Sequence, residues 1–318
     1  MLARPVHQIP EPGALPGGCV YEPKLDGYRA LLFVDDMGCR IQSRRGQDIT
    51  ASFPDVAAAA DDQLPAGVVL DGELVVWSDG RLEFAELQRR LASTANAVRR
   101  AHSQPASYVA FDLLCVGGAD ARMKTFRDRR SALEALLTEG RLPLQLAPQT
   151  GDHEEARQWM NDYAVDSIGV EGVVAKGQDQ PYRSGKRDWM KVRARDTVEV
   201  IVGAVTGPIS APDRLVLGQY DIAGELVILG GTSSLGGRER RSISGLLELP
   251  KKEHPWPSEI SSGRLGRWTR EGLTITRVEP SLVVEISLDR AADPGRLPDV
   301  ATFVRVRPDL TVDETEVL

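Results

Sequence analysis

The sequence is poor in cysteine, in aromatic residues and in long apolar runs. Its three cysteines are an odd number without a Cys-x-x-Cys pair, which excludes a disulfide framework and a cysteine-based zinc site. No apolar run approaches the roughly 18 residues of a membrane-spanning helix, and the chain shows no signal peptide. We therefore expect a cytoplasmic protein that does not associate with membranes.

Positive charge is not in excess either. The chain has 39 Lys and Arg residues against 46 Asp and Glu residues, which gives a net charge of −7. This excludes binding of polyanions by bulk attraction, so any nucleic acid must bind a local basic patch. The 318 residues, 42% of them hydrophobic, are enough for two cores, since single cores stop growing near ~250 residues.

Strand patterns dominate the chain, with a few helices between them. Residues 28–34 and 39–43 predict a hairpin, and helical patterns cover residues 50–64, 83–100, 127–139 and 152–164. From about residue 197, short Val/Ile/Leu strands broken by glycine and proline indicate a small OB-type β-barrel. We place a domain boundary near Asp196, with one domain at 1–196 and a second at 197–318.

The first domain carries charged residues within or beside apolar strands, where a carboxylate is costly unless it is paired or metal-bound. Carboxylates without histidine partners indicate Mg²⁺, and clustered cations indicate a phosphate clamp. Nearby cations also favour a nucleophilic lysine amine. On the hypothesis that the strands form one twisted sheet, a single polar set converges at its mouth: Lys24, Arg29, Arg44, Glu73, Asp112, Glu171, Lys176, Lys191 and Arg193.

Six motifs in order carry a family resemblance across residues 20–310, nearly the whole chain. They are Lys24-Leu25-Asp26-Gly27, Leu70-Asp71-Gly72-Glu73, Phe111-Asp112, Glu171-Gly172-Val173-Val174-Ala175-Lys176, Trp189-Met190-Lys191-Val192-Arg193 and Arg305-Val306-Arg307-Pro308-Asp309. The chain resembles an ATP-dependent DNA ligase of the small stand-alone bacterial type. Six ordered motifs are far more specific than any one of them.

The resemblance implies an α+β fold. Its first part is an ATP-grasp-like nucleotidyltransferase (adenylation) domain with twisted antiparallel sheets and flanking helices, and its second part is an OB-fold β-barrel. It also implies a monomeric enzyme that uses ATP and Mg²⁺ (or Mn²⁺) to seal 3′-hydroxyl/5′-phosphate nicks in duplex DNA, with a role in DNA repair.

The resemblance further implies roles for single residues. The catalytic residues are Lys24, Lys191 and Arg193. The ATP-binding residues are Glu22, Lys24, Arg29, Arg44, Glu73, Phe111, Lys176, Lys191 and Arg307. The metal ligands are Glu73 and Glu171, with the ribose as an alternative contact of Glu73. The DNA-binding residues are Arg29, Arg44, Arg238, Arg240 and Arg241.

Two residues depart from the family pattern, and three other functions stay open. Arg193 stands where a second lysine is common, and Leu310 follows Asp309 where a lysine is common, so the pyrophosphate contact of the last motif is less secure. An mRNA-capping guanylyltransferase shares the lysine motif and the OB domain but uses GTP. An RNA ligase shares the first domain, and a non-enzymatic OB-type binding module explains only the second.

Overall fold

A computed structural model describes the chain except residues 7, 79, 139, 167–168, 194–196, 261–272, 288–300 and 316–318, and gives only the backbone of residues 161–166 and 273. The chain divides into two compact units, Met1–Arg195 and Asp196–Leu318. Each unit has its own hydrophobic core. None of the described helices is long and apolar enough to cross a membrane.

The first unit combines short and long strands with five helices among its described residues. The strands are β1 (Ala3–Pro5), β2 (Cys19–Leu25), β3 (Tyr28–Asp35), β4 (Gly38–Ser43), β5 (Val68–Ser78), β6 (Arg81–Leu82), β7 (Ala106–Val116), β8 (Ala119–Asp120), β9 (Leu144–Leu146), β10 (Val170–Gly177) and β11 (Trp189–Arg193). The helices are α1 (Pro54–Gln63), α2 (Phe84–Ala92), α3 (Ala97–Ser103), α4 (Phe126–Leu137) and α5 (His153–Asp166).

The strands of the first unit form two sheets. One has the order β1-β11-β10-β2, and the other follows β4-β3-β5-β7-β8, with β6 beside β5 and β9 beside β7. The sheets are antiparallel except for the β1–β11 and β7–β9 pairs. The hypothesis of a single sheet is therefore wrong, because β2 with Lys24 and β7 with Phe111 belong to different sheets. The implied antiparallel sheets with flanking helices are confirmed.

The larger sheet is covered on both faces, which explains why β5 and β7 read as nearly continuous apolar runs. One face packs on α1, α2 and α4 through the main core, which includes Val56, Leu87 and Leu133. The other face contributes Phe111 to a cluster that also contains Trp189 of β11. The two sheets therefore meet across a layer of side chains, and most of the predicted polar residues border this layer.

Two predicted helices are shorter than expected. Helix α1 begins at Pro54 after a 3₁₀ turn at Thr50–Ser52. The stretch 83–100 forms two helices, because a second 3₁₀ turn at Thr94–Asn96 separates α2 from α3. Ser, Thr and Asn compete with the helix for backbone hydrogen bonds. Val98, an apolar residue of the predicted helix, is 65% exposed. By contrast, the predicted β3–β4 hairpin is confirmed.

The second unit is built on a five-stranded antiparallel sheet. Its described elements are β12 (Thr197–Thr206), β13 (Arg214–Tyr220), β14 (Leu226–Gly231), α6 (Gly237–Ser244), β15 (Glu259–Ile260), β16 (Leu273–Thr274), β17 (Thr276–Ser287) and β18 (Thr302–Val306). The sheet order is β14-β13-β12-β17-β18. Both faces are buried, since one cluster contains Val202 and Ile243 of α6 and another surrounds Trp256.

A buried ion pair joins α4 to β7 in the first unit. Arg129 donates from Nε and Nη2 to the two carboxylate oxygens of Asp112, at 2.7 and 2.9 Å. Its Nη1 donates to the carbonyl oxygens of Lys124, at 2.7 Å, and Gln180, at 3.1 Å. Both charged side chains are 0% exposed. Asp112, which the sequence placed among carboxylates able to attract a metal, has its charge compensated by Arg129.

Replacing Arg129 by methionine leaves the Asp112 carboxylate buried without its cation, so we expect the first unit to lose about 3–5 kcal/mol of stability. The double variant Arg129→Met, Asp112→Asn removes both charges and keeps an acceptor for the Leu113 amide. It should recover most of that loss. Hydrogen exchange of the β7 amides in increasing urea measures the stability of both variants. An equal loss of stability in the single and the double variant would show that the ion pair is not the cause.

Candidate active site

Lys24 lies near the end of β2, at the layer between the two sheets of the first unit. Its Nζ contacts Oε2 of Glu171 on β10. The two side chains are only 18% and 17% exposed. The amine that the sequence predicts as the nucleophile is therefore held by a carboxylate in a partly buried environment, where the interaction is screened less than at the surface.

A β-bulge directs Glu171 toward Lys24. The β2–β10 register runs from Leu25↔Val170 to Lys24↔Gly172, so Glu171 is the extra residue. Such bulges re-aim single side chains. Gly172 has φ of +151°, and a Cβ there would lie 1.9 Å from the carbonyl oxygen of Val192. Only glycine fits this position, which explains why a glycine follows the glutamate in the motif.

The turn that follows Lys24 passes close to β5. The Asp26 amide donates to the carbonyl oxygen of Gly169 at 2.8 Å. A Cβ on Gly27 would lie 2.5 Å from Cγ of Glu73 and 2.5 Å from the carbonyl oxygen of Leu74. Gly27 is therefore required for close approach, and the segment from Lys24 to Gly27 connects Glu171 to Glu73, the two predicted metal ligands.

Register places several predicted residues on one face of the smaller sheet. Lys24, Gly172 and Arg193 are opposite one another across β2, β10 and β11. In the next row of the same face, Glu22 is opposite Val174, which is opposite Lys191. Directly opposed residues in antiparallel strands project to the same side. The structure thus brings the predicted nucleophile and the two predicted phosphate-binding cations onto one surface.

Lys176 has an anionic partner inside the site. Its Nζ lies 2.6 Å from Oε2 of Glu22 and donates to the carbonyl oxygen of Phe111 at 3.0 Å. The ammonium lies 4.6 Å from the ring centroid of Phe111 and 4.4 Å from that of Trp189. Burial lowers the pKa of Lys176, and burial raises the pKa of Glu22. Lys176 therefore lies beside the aromatic residues and Glu22, and its predicted ATP contact stays a prediction.

The second oxygen of Glu22 is a candidate contact for the nucleotide base. Oε1 of Glu22 is buried without a hydrogen-bond partner among the described residues, and so is Nη1 of Arg130. The two atoms are 3.7 Å apart. Adenine presents an amine donor beside a ring-nitrogen acceptor, so this acceptor and donor fit it chemically. Arg130 was missed from the sequence, where it looks like any charged helix residue.

Arg29 of β3 is held by the buried carboxylate of Asp71 on β5, the neighbouring strand of the same sheet. It donates from Nε and Nη2 to the oxygens of Asp71, at 3.0 and 2.6 Å. The Tyr182 hydroxyl donates to the same carboxylate at 2.8 Å. Burial favours the neutral acid, but the charge and hydrogen bonds of Arg29 bring the pKa of Asp71 below its ordinary value. The sequence predicted Arg29 but missed Asp71 and Tyr182 as its partners.

Phe111 is also a bulge residue. On β7, Asp112 is opposite Asp71 and Ala110 is opposite Gly72, which leaves Phe111 as the extra residue. Its ring meets Trp189 edge-on at 6.0 Å, and the Arg29 guanidinium lies 5.3 Å from its centroid. The predicted base-stacking residue is therefore next to Lys176 and Arg29 at the layer between the sheets.

Arg44 lies at the edge of the larger sheet. It directly follows β4, the edge strand, and is half-buried. The β3–β4 register pairs Ala30 with Ser43, so Arg29 and Arg44 are the next residues along the two strands. The two arginines predicted to contact the nick are thus neighbours in the fold.

No group of three or more His, Cys, Asp or Glu side chains suited to a metal occurs among the described residues. Mg²⁺ commonly uses one or two protein carboxylates and completes its shell with water and substrate phosphates. Glu73 and Glu171, which flank the Lys24 turn, match that smaller requirement. The predicted metal ligands therefore fit a metal shared with a nucleotide better than a site built by protein alone.

In the second unit, Arg307 lies in a cluster of carboxylates. Its guanidinium donates to the two oxygens of Asp309, at 2.9 and 2.7 Å, and to Oε1 of Glu199 at 3.0 Å. Arg305 donates to Glu285 at 2.7 Å. A phosphate contact by Arg307 would have to replace these carboxylates, so its predicted ATP contact stays a prediction.

Three of the five arginines predicted to contact DNA, Arg238, Arg240 and Arg241, lie on α6. Arg238 and Arg241 are exposed. Arg240 donates to the carbonyl oxygen of Leu235 at 2.9 Å and to Oδ1 of Asp213 at 2.8 Å. Arg240 therefore has a role inside the unit, while the other two are accessible to a partner.

Residues 1–193, more than half of the chain, match the family described as ATP dependent DNA ligase domain. The chain belongs to the ATP-dependent DNA ligases. DNA ligase C2 of Mycolicibacterium smegmatis is 33% identical over 327 residues, covering 97% of this chain and 90% of that protein. This DNA ligase is thus an enzyme of the family that the motif order predicted, and the prediction is confirmed.

Two further proteins are similar to this ligase. The multifunctional non-homologous end joining DNA repair protein LigD of Mycobacterium tuberculosis is 32% identical over 297 residues, which cover 91% of this chain but 36% of that protein. A solved mycobacterial DNA ligase D complexed with ATP and MES has a TM-score of 0.58 and 27% identity, covering 100% of this chain and 98% of that one. The fold similarity therefore spans the whole ligase.

Replacing Gly172 by alanine should displace Glu171 from Lys24, because the added Cβ collides with β11. Misplacement by about 1 Å can cost on the order of 100-fold in rate, so we expect covalent labelling of the protein by ATP to slow by about that factor. Gly80→Ala is the matched control, since Gly80 also has positive φ but open space around it. Equal labelling rates in the two variants would contradict the role of the bulge.

Proposed function

We propose that this ligase seals nicks in duplex DNA through a covalent lysyl-AMP at Lys24. The Lys24 nitrogen attacks the α-phosphorus of ATP, a P–N bond forms, and the P–O bond to pyrophosphate breaks. An oxygen of the 5′-phosphate at the nick then attacks the AMP phosphorus, which forms a phosphoanhydride and breaks the P–N bond to Lys24. Finally the 3′-hydroxyl attacks that phosphate and releases AMP. The single observation that carries this proposal is the contact of Lys24 with Glu171 in a layer that also contains Glu22, Lys191 and Arg193.

The residues around Lys24 suit phosphoryl transfer. This chemistry needs positioning and charge neutralisation more than a general base. Lys191 and Arg193 share the face of Lys24 and would stabilise negative charge on the α-phosphate. A Mg²⁺ or Mn²⁺ ion at Glu171 and Glu73 would supply further charge neutralisation there, and Glu73 has the ribose as its alternative contact.

The proposed adenine site is formed by Phe111 and Glu22, which both contact Lys176. Phe111 would stack on adenine, and the Glu22 carboxylate would accept from its amine. Burial and the adjoining Lys176 keep Glu22 in place. In this proposal Lys176 also contacts ATP, because it lies between Glu22 and the ring of Phe111.

Arg29 and Arg44 would hold the two ends of the nick, and each would also contact the nucleotide. Arg29 lies on β3 and Arg44 directly after β4, and arginine forms bidentate hydrogen bonds with phosphate groups. Arg29 is bound to Asp71, so binding a phosphate would require it to share or exchange that carboxylate. A role in DNA repair is our inference from the similarity to LigD.

The second unit would be an OB-fold domain that contacts the duplex. Residues 1–196 would then form the adenylation domain and residues 197–318 the OB domain. The five-stranded antiparallel sheet with both faces buried supports this interpretation. Arg238 and Arg241 are its accessible DNA contacts, and Arg240 supports the helix that carries them. Arg307 would reach the pyrophosphate only by exchanging its carboxylate partners.

Lys24→Ala and Lys24→Arg should both abolish covalent labelling by ATP, because neither side chain offers a nucleophilic amine. Lys24→Arg keeps a cation for Glu171, so its loss of label cannot be attributed to the lost ion pair. A denaturing gel after incubation with labelled ATP and Mg²⁺ measures this. Label retained by either variant would place the nucleophile elsewhere, and label from GTP alone would favour a capping guanylyltransferase.

Phe111→Ala should raise the ATP concentration needed for labelling, because a base–aromatic stack contributes on the order of 1–3 kcal/mol. Sealing of a pre-adenylated nick should change little. Phe111→Trp keeps a stacking surface and should resemble the parent, whereas Phe111→Leu keeps apolar volume and should resemble the alanine variant. If Phe111→Leu behaved as the parent in both assays, Phe111 would serve core packing instead.

A further inference from the structure

Two loops of the first unit carry exposed cations that the proposed reaction does not use. Residues 120–125 and 182–188 together hold five cations and two carboxylates, in a chain whose net charge is −7. We name as the basic rim the cations of these loops: Arg122, Lys124, Arg183, Lys186 and Arg187. The net charge of these loops is therefore positive, whereas the net charge of the whole protein is negative.

The two loops of the basic rim are fixed against each other. The Tyr182 amide donates to the carbonyl oxygen of Arg122 at 2.7 Å. The buried guanidinium of Arg129 donates to the carbonyls of Lys124 and Gln180, at 2.7 and 3.1 Å. The fully buried side chain of Arg129 therefore holds the backbone of both loops in place, and no bound ligand is needed for this.

The same contacts connect the rim to the candidate active site. Arg129 also holds Asp112, the residue after Phe111. Tyr182, at the start of the second loop, donates to the carboxylate that binds Arg29. The rim thus continues outward from the side of the site where the nick-binding arginine lies.

The cations of the rim differ in how much of their charge is compensated. Arg122 pairs with Asp120 and Arg183 pairs with Asp188, each at 2.7 Å. Lys124 and Lys186 are exposed and form no ion pair within the described part of the chain. Exposed lysines act as point charges that suit sequence-independent phosphate contacts.

We propose that the basic rim binds the phosphate backbone of duplex DNA beside the nick, through Lys124 and Lys186. This rests on the proposed nick-sealing function and adds a contact with the DNA backbone to those proposed for Arg29, Arg44 and α6. The exposed amines lie outside the layer that contains Lys24, so a polyanion extending beyond the site is the partner that their charge complements. Contacts of this kind position the duplex without reading its sequence.

The test compares two double variants that lower the net charge equally. Lys124→Ala, Lys186→Ala removes the free cations of the rim. Arg99→Ala, Arg141→Ala removes exposed cations elsewhere, on α3 and beyond the far end of the 12-residue helix α4. Affinity for a nicked duplex is measured without ATP over a series of salt concentrations, and labelling by ATP is measured separately without DNA.

We expect the rim variant to bind nicked duplex more weakly than the control. Its plot of log affinity against log salt should be shallower by up to about 2, since each phosphate contact contributes about 0.9 to the slope. The same slope and affinity in both variants would overturn the proposal. A defect in ATP labelling with unchanged DNA binding would overturn it too. If the parent protein itself were not labelled by ATP, the nick-sealing proposal would be contradicted, but the comparison of DNA binding would stay valid.

Discussion

Compensation of buried charge between two sheets is the constraint on which the first unit depends. The first unit brings cations and carboxylates together in one place, and that place is covered by apolar strands on both sides. An unpaired charge there would cost several kcal/mol. Each of three buried or partly buried cations has a carboxylate partner: Lys176 with Glu22, Arg29 with Asp71 and Arg129 with Asp112. These pairs position the aromatic residues and the loops around them.

Two β-bulges convert this layer into a site. Regular alternation would send neighbouring residues to opposite faces, but the bulge at Glu171 directs its carboxylate to Lys24, and the bulge at Phe111 places its ring near Lys176. Close approach imposes glycine at Gly172 and Gly27. In two motifs of this chain, a glycine near the charged side chain thus allows the backbone to take the required shape.

The arginines of the second unit differ in what they contact. In the second unit, Arg307 is engaged by Asp309 and Glu199, and Arg240 supports α6. Arginines of the same helix therefore divide between internal support, as for Arg240, and accessible surface, as for Arg238 and Arg241. A charge cluster in sequence does not reveal this division, because it depends on which carboxylate the folded chain brings near each guanidinium.

Ordered motifs were enough to recognise the family, and local patterns predicted the β3–β4 hairpin. Both depend on residues close together in the chain. The separation into two sheets and the partners Asp71, Tyr182 and Arg130 did not follow from the sequence. They depend on contacts between residues far apart, such as Tyr182 with Asp71 across 111 positions. The residue types thus determined the chemistry available to the ligase, whereas register, bulges and ion pairing in the tertiary structure decided which side chains meet.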